Sequence, residues 1–554
     1  MPLVLALAFA LLLVLVSLLL AVLSALLLAA AMLFAVLVVT HDFTPFAHNS
    51  ALRREARMKR MSAREGAPNN ADQGRAGACR TGGVAKGANH SDARRMDALA
   101  GETKEGSAGR VPKGRLLLFA FGDFAFNLFW QSIMLFLLFY YTDALELPIG
   151  VAATTYMVAS IWDGIANFGA GVLLDRRQAS FRYGPLLVAG AVPLGLTFVL
   201  TYLPPPWSGA WAIATVFAAH LLFRTAYAGV NVPYLAMTAR ISADTGDRAF
   251  VAGMRMLFGT SAAVIVALCT VPVGRWLTGS SAAQAYFGAA CLFAAVAAVI
   301  LVIVGLSYRE TAQPHRPPPG SLKSALLSLA RNRAFLALNG AMMAMIVAIT
   351  VLNKSVLYYF KYLLNDPDAG QLALASMGLV SAVAIPLWML LGRFVGLHAL
   401  WLIAAGLGMT GLMLFTFIRL DGVGAMQLFL VGMQVMIVGL NFVFWAMLPN
   451  TIEFGERETG VHVEGTVFGL AALLQRIAIG VATAILGWSF ASAGYVANVR
   501  QSAETLAEMR ITVALVPLLF LALSCAAMIA NPLGRKRPRL SSQLEGPADS
   551  VALG

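Results

Sequence analysis

The sequence predicts an all-α integral membrane protein with twelve transmembrane helices in two six-helix bundles. Composition is the first reason. Of 554 residues, 59% are hydrophobic and 12% are charged, with a mean hydropathy of +0.76, whereas soluble domains hold roughly 25% charged residues. Spacing is the second. Apolar runs long enough to cross a bilayer, which takes about 20 helical residues, lie near 115–141, 148–174, 184–203, 210–237, 250–273 and 284–307. After a polar loop, six more lie near 334–360, 370–391, 397–418, 425–448, 466–490 and 510–530. The expected organisation is therefore an N-terminal bundle at 114–307, an inter-bundle loop at 308–333, a C-terminal bundle at 334–531 and a basic tail at 532–554.

The basic residues orient the bundles. Loops after the even-numbered helices and the tail carry Arg176, Arg177, Arg182, Arg240, Arg248, Arg309, Arg316, Lys323, Arg331, Arg333, Arg393, Arg457 and the Arg535–Arg539 cluster. The opposite loops hold Arg275, Lys361, Arg419, Arg500 and Arg510. Cytoplasmic loops are enriched in Lys and Arg, which predicts a multi-pass protein of the cytoplasmic (inner) membrane with both ends of the twelve-helix unit inside.

Ahead of the first bundle, residues 1–40 carry no charge and read as a further hydrophobic helix. They lack the basic start and short apolar core of a signal peptide. Residues 41–113, rich in Gly, Ala, Arg, Asn and Ser, read as a disordered linker. The alternative expectation is that the chain proper starts downstream, for example at Met96. Of the formal net charge of +13, a surplus of seven falls between His41 and Arg115, where fifteen basic residues face eight acidic ones. The remainder suits basic membrane loops, so nucleic acid is not an expected partner. Cys79, Cys269, Cys291 and Cys525 show no paired spacing, and neither a disulfide framework nor a zinc site is expected.

Within the helices, polar residues recur three or four apart, the spacing of one helical face. Asp163 is the lone charge between Leu147 and Leu174, in the stripe Tyr156, Ser160, Asp163, Asn167. A carboxylate at that depth costs about 2.5–3.5 kcal/mol on insertion scales and marks an ion or substrate pathway. Helix 1 contributes Asp123, Asn127 and Trp130 or Gln131, and helix 4 contributes His220, Arg224, Tyr227 and Asn231. Arg255 lies in helix 5, Asn353 and Lys354 in helix 7, and Gln475 and Arg476 in helix 11. Taken singly, each could merely pair helices. Together, acids and bases on several helices predict one polar cavity, with Trp130, Tyr227 and Trp445 as candidate platforms for a sugar face.

Five motifs identify a family. They are GDFAFNLFWQSIMLFLLFYYTD, SIWDGIANFGAGVLLDRR, YAGVNVPYLAM, YYFKYLLNDP and NTIEFGERETGVHVEGTVFGLAALLQR. In this order, from about Gly114 to Pro532, the chain resembles the glycoside-pentoside-hexuronide:cation symporters of the major facilitator superfamily. The resemblance implies two bundles rocking about a central site and coupling cation entry to uptake of a sugar, glycoside or hexuronide. A faint echo between GPLLVAGAVPLGLTF in helix 3 and ALWLIAAGLGMTGLMLF in helix 9 agrees with repeat-built transporters.

By resemblance, the cation site of the family uses two carboxylates one turn apart on helix 2. Here the first is kept as Asp163, and Asn167 stands in place of the second. A lone buried carboxylate can bind and release a proton without a ligand cage, so a proton is the expected coupling ion and sodium the alternative. No other cofactor is expected. The resemblance places substrate at Asn127, Asn231, Arg255 and Arg476, and the polar stripes add Asp123, Trp130, Tyr227 and Gln475 as candidate substrate contacts. Amides at 127 and 231 replace the acids of melibiose permease, which makes the cavity more positive and suits an anionic substrate. Asp175, Arg176, Glu453 and Glu464 are expected in gating loops, and the protein is expected to act as a monomer. The competing expectation is a carrier of lysolipids or other amphiphiles on the same fold. An enzyme is not expected, because the chain shows no phosphate loop, nucleophile elbow or metal-ligand spacing.

Overall fold

The computed structural model describes residues 111–534 apart from 177–182, 239, 243, 280, 310–321, 419, 421 and 460–463. Side chains at 174–176, 245, 246, 249, 322, 382, 459, 464 and 465 also lie outside the described set. Among the described residues all regular structure is helical, and twelve helices are long and apolar enough to span a bilayer. We number them α1 (Lys113–Phe139), α2 (Ile149–Arg176), α3 (Tyr183–Thr201), α4 (Ala210–Thr238), α5 (Thr245–Thr278) and α6 (Ala282–Ser307) in the first bundle. The second bundle holds α7 (Arg333–Tyr358), α8 (Pro367–Val395), α9 (Leu397–Phe417), α10 (Val423–Thr459), α11 (Glu464–Ser492) and α12 (Ala503–Ile529). The expected hydrophobic segment at 1–40 and linker at 41–113 lie outside the described residues, save for 111–113.

Each bundle is held by its own helix pairs, α1/α5, α3/α6 and α2/α4 in one and α7/α12, α8/α10 and α9/α12 in the other. Between bundles the seam runs along α2/α11 and α5/α8, with α1 and α7, the two most buried spans, facing each other at the centre. With little hydrophobic drive between helices in lipid, close approach depends on small residues. Gly184 and Gly305 meet reciprocally, so that a Cβ on either would stand 2.7–2.9 Å from the other's carbonyl oxygen. Gly274 on α5 packs directly on the backbone of Ala285 in α6. Because backbone cannot yield as a side chain can, Gly274→Ala is expected to cost about 1–3 kcal/mol. Thermal unfolding of the purified variant would read this as a lower melting temperature, and an unchanged one would refute the close packing.

The two halves repeat an unexpected detail. α1 and α7 each end in a π-helical turn, Tyr140–Ala144 and Tyr359–Leu363. In both, a residue with positive φ follows, Glu146 at 57° and Asn365 at 55°, and a proline, Pro148 or Pro367, then leads into the next helix. The hydrogen bonds correspond as well. Leu145 N–H donates to Tyr140 O and Leu147 to Tyr141 O (both 3.0 Å), matching Leu364 to Tyr359 O (3.2 Å) and Asp366 to Phe360 O (2.9 Å). This repeat is far sharper than the echo between helices 3 and 9.

Two expectations need correction. The stretch 308–333 is not loop throughout: a short helix, Leu322–Arg331, buries Ala325 and Leu329 and exposes Leu326 and Leu327. α10 also continues through Pro449 to Thr459, so that Glu453 is helical rather than in a loop. There Gly455 packs on Asn332, whose amide donates to Thr451 O at 2.7 Å. That contact stabilises the extra turns that the proline would otherwise discourage.

Candidate functional site

The charged stripes form two layers, one at mid-depth on the seam between the bundles and one in the first bundle nearer the face that carries the basic loops. At mid-depth, Asp163 of α2 has no solvent exposure. Its Oδ1 accepts from Asn167 Nδ2 at 2.9 Å. Its Oδ2 lies 3.3 Å from Arg224 Nη1 of α4 and 3.1 Å from Arg476 Nη1 of α11. Arg224 donates from Nε to His220 Nε2 at 3.1 Å. Since that imidazole nitrogen accepts, the network assigns the ring proton to Nδ1.

Aromatic rings enclose the layer. Trp130 stacks under Arg476, 3.8 Å from the guanidinium carbon to the ring centre, and lies 5.2 Å from that of Arg224. Tyr156 faces Lys354 Nζ at 3.8 Å and Arg224 at 5.7 Å. Lys354 of α7 also donates to Met134 O of α1 at 3.1 Å. Two guanidinium groups therefore meet one buried carboxylate, with Lys354 against the Tyr156 ring, in a setting where an unmatched charge is costly.

The second layer pairs Arg255 of α5 with Asp123 of α1, Nη2 and Nε lying 2.9 and 3.1 Å from Oδ1. Asn127 donates to Asp123 Oδ2 at 3.1 Å and accepts from Gln131 at 3.4 Å, while Arg255 also reaches Thr238 Oγ1 at 3.0 Å. Asp123, Arg255 and Arg476 keep 17–19% exposure. Water and solutes can therefore reach this side of the cluster.

Among the expected site residues, the structure brings together Asp163, Asn167, Trp130 and Arg476, and separately Asp123, Asn127 and Arg255. Tyr227 is 5% exposed and joins the aromatic packing, its ring 6.1 Å from Trp130. The side chains of Asn231 and Gln475 make no hydrogen bond among the described residues. Trp445 is half exposed and stacks edgewise on its neighbour Phe444. Glu453 pairs at 3.8 Å with Arg457 of its own helix, both 70% exposed, a contact worth about 0–1 kcal/mol. The side chains of Asp175, Arg176 and Glu464 lie outside the described set. Arg224, His220, Tyr156 and Lys354 belong to the stripes but are not assigned by the resemblance, and they complete the mid-depth layer.

A third cluster, at the far face, was not legible from periodicity. Asp143, at the end of α1, accepts from three groups of the other bundle: Lys361 Nζ at 2.6 Å, Tyr362 OH at 2.6 Å and Tyr495 OH at 2.9 Å. Asn498 donates to Asp143 O at 2.9 Å and to Glu146 Oε1 at 3.1 Å, and Thr142 meets Tyr358 OH at 2.8 Å. Burial, together with the nearby Asp143 carboxylate, pushes the Tyr495 hydroxyl far above the ordinary tyrosine range, so it remains a donor. These bonds join the bundles at the face opposite the basic loops. A recess of about 720 Å³ also lies on the α2/α4/α11 flank, lined by residues including Val158, Phe217 and Trp488 and by none of the charged groups of the two layers.

Comparison with known proteins agrees with this architecture. The family described as MFS/sugar transport protein matches residues 118–535. The isoprimeverose transporter of Lactiplantibacillus pentosus is 24% identical over 448 residues, 78% of this chain and 92% of that relative. The glucuronide carrier protein homolog of Escherichia coli (strain K12) is 26% identical, over 76% of this chain and 92% of that relative. In fold, the chain is similar to a bacterial homolog of the human lysosomal transporter Spinster, with a TM-score of 0.59 at 12% identity over 76% of this chain and 98% of that one. With twelve spans, two bundles and a family match over most of its length, the chain belongs to the MFS/sugar transport proteins, as a glycoside-pentoside-hexuronide:cation symporter of the major facilitator superfamily.

Proposed function

We propose that this protein is a symporter of sugars, glycosides or acidic sugars in the cytoplasmic membrane, working by alternating access with Asp163 as its cation-coupling group. The observation that carries this reading is the position of Asp163, fully buried at the seam and paired with one arginine from each bundle. When the bundles rock, the Arg476 contact across the seam must change while the Arg224 contact within the bundle need not. With the basic face taken as cytoplasmic, the far-face bonds close the periplasmic side, and this arrangement is inward-facing.

Substrate is assigned to the accessible side of the two layers, where Trp130 offers a face to a sugar ring and Arg476, Arg255, Asp123 and Asn127 offer hydrogen-bonding groups to its hydroxyls. Relatives named for isoprimeverose and for glucuronides support a sugar-type cargo. The polar lining argues against an amphiphile. A monomer embedded in lipid suffices, because both bundles that frame the site come from one chain.

Reconstituted protein should accumulate a labelled glycoside or glucuronide under an imposed proton or sodium gradient. Uptake of lysolipid in place of every sugar tested would overturn the reading. Hydrogen bonds to charged groups contribute about 1.5–3 kcal/mol, so Arg255→Ala and Arg476→Ala should each weaken apparent affinity by tenfold or more at normal expression. Unchanged affinity in both would remove them from the site.

A further inference from the structure

The two guanidinium groups on Asp163 differ in their freedom. Arg476 belongs to the other bundle and is 17% exposed. Its Nη1 approaches Oδ2 without a directed hydrogen bond. Arg224 shares a bundle with Asp163 and is 1% exposed. Hydrogen bonds to Asp163 and His220 hold it at both ends of the guanidinium, and the rings of Trp130 and Tyr156 flank it. His220 is itself fully buried, edge-on to Tyr141 and Tyr156. Rocking of the bundles can withdraw Arg476, but Arg224 has nowhere to go.

We propose that Arg224 sets the ion selectivity of this transporter, as a tethered cation standing where a sodium ion bound to Asp163 would have to sit, so that a proton is the ion Asp163 exchanges. The inference rests on the reading of Asp163 as the coupling group. A sodium ion needs several oxygen ligands around it. Here Asp163 Oδ1 is taken by the Asn167 amide and Oδ2 faces two guanidinium groups. On the same face of α2, Ser160 Oγ is buried without a hydrogen-bond partner, and Asn167 turns its amide nitrogen rather than its oxygen to Asp163. An arginine stays charged at any physiological pH, and in a buried site little water screens its repulsion of a second cation.

A proton needs no such cage. When Arg476 withdraws, a carboxylate oxygen of Asp163 can bind H⁺ as an O–H group. When Arg476 returns, the O–H bond breaks, H⁺ leaves towards the basic face, and the carboxylate resumes its ion pair. Charge balances at each stage, with Arg224 unchanged throughout.

The test is binding of radiolabelled sodium to the purified full chain, with thermal unfolding compared in sodium chloride and choline chloride at equal ionic strength. The wild type should bind no sodium above background and melt at the same temperature in both salts. Arg224→Gln should gain stoichiometric sodium binding and a sodium-dependent rise in melting temperature, both lost in the Asp163→Asn/Arg224→Gln double variant. Sodium binding by the wild type that Asp163→Asn abolishes would overturn the proposal, as would a folded Arg224→Gln that gains none. The wild-type measurement decides even if the variant fails to fold. Sugar uptake driven by sodium would sink this inference yet leave symport standing, whereas no sugar uptake under any gradient would sink symport and leave the binding result intact.

Discussion

Asp163→Asn is expected to abolish uphill transport while leaving downhill exchange of substrate in place. A gradient of one pH unit corresponds to about 1.4 kcal/mol, which at one proton per substrate supports roughly tenfold accumulation in the wild type. The asparagine cannot take up and release a proton, so accumulation in proteoliposomes should fall to the equilibrium ratio of one. Undiminished accumulation would remove Asp163 from coupling. The substitution also leaves Arg224 buried without its acid, and losing one member of a buried pair costs about 3–5 kcal/mol. Arg476 can turn towards water, but Arg224 cannot. The Asp163→Asn/Arg224→Gln double variant should therefore regain thermal stability without regaining accumulation. That separation of two readouts distinguishes a coupling role from a structural one, in the manner of a double-mutant cycle.

The second large effect is expected at the far face. Asp143→Ala removes the single acceptor shared by Lys361, Tyr362 and Tyr495. A loss of about 3 kcal/mol from the closed state corresponds to a shift of roughly a hundredfold in the equilibrium between closed and open forms. Ile149 lies at the far-face end of α2, is 4% exposed, and touches the seam where its carbonyl packs near Gly487. A cysteine at 149, in a background with the native cysteines replaced, should react with an impermeant thiol reagent far faster when Asp143 is alanine. An unchanged labelling rate would show that the closure does not depend on this carboxylate.

The fold was legible because lipid imposes length and composition on each span, and all twelve apolar runs correspond to observed helices. Boundaries were less legible, since capping and tertiary contacts decide them. α5 begins at Thr245 because the Asp244 side chain accepts from Asp247 N–H, and α10 outlasts Pro449 because Gly455 and Thr451 rest on Asn332. The mid-depth site was legible wherever a charge was conspicuous in an apolar run, as with Asp163. Arg224 was visible as a charge, but whether it faced substrate, lipid or Asp163 depends on helix rotation, which spacing alone does not fix. Asp143 was hidden for the opposite reason. At a helix end a charge looks ordinary, and its three donors lie more than 200 residues away in sequence.

The duplicated π turns bear on how such a chain could have evolved. Counting from each turn, Asp143 and Tyr362 hold the same position in their halves, and it is these two side chains that touch, at 2.6 Å. Equivalent positions that meet in this way lie close to the local two-fold relation between the halves. Two identical copies would set like against like there, acid against acid or phenol against phenol. Paired carboxylates would repel, and paired phenols would offer Lys361 no negative charge to pair with. The lock could therefore form only after the copies diverged at this position, one becoming the acceptor and the other a donor. Restoring identity at these two sites should thus be among the least tolerated changes in the protein.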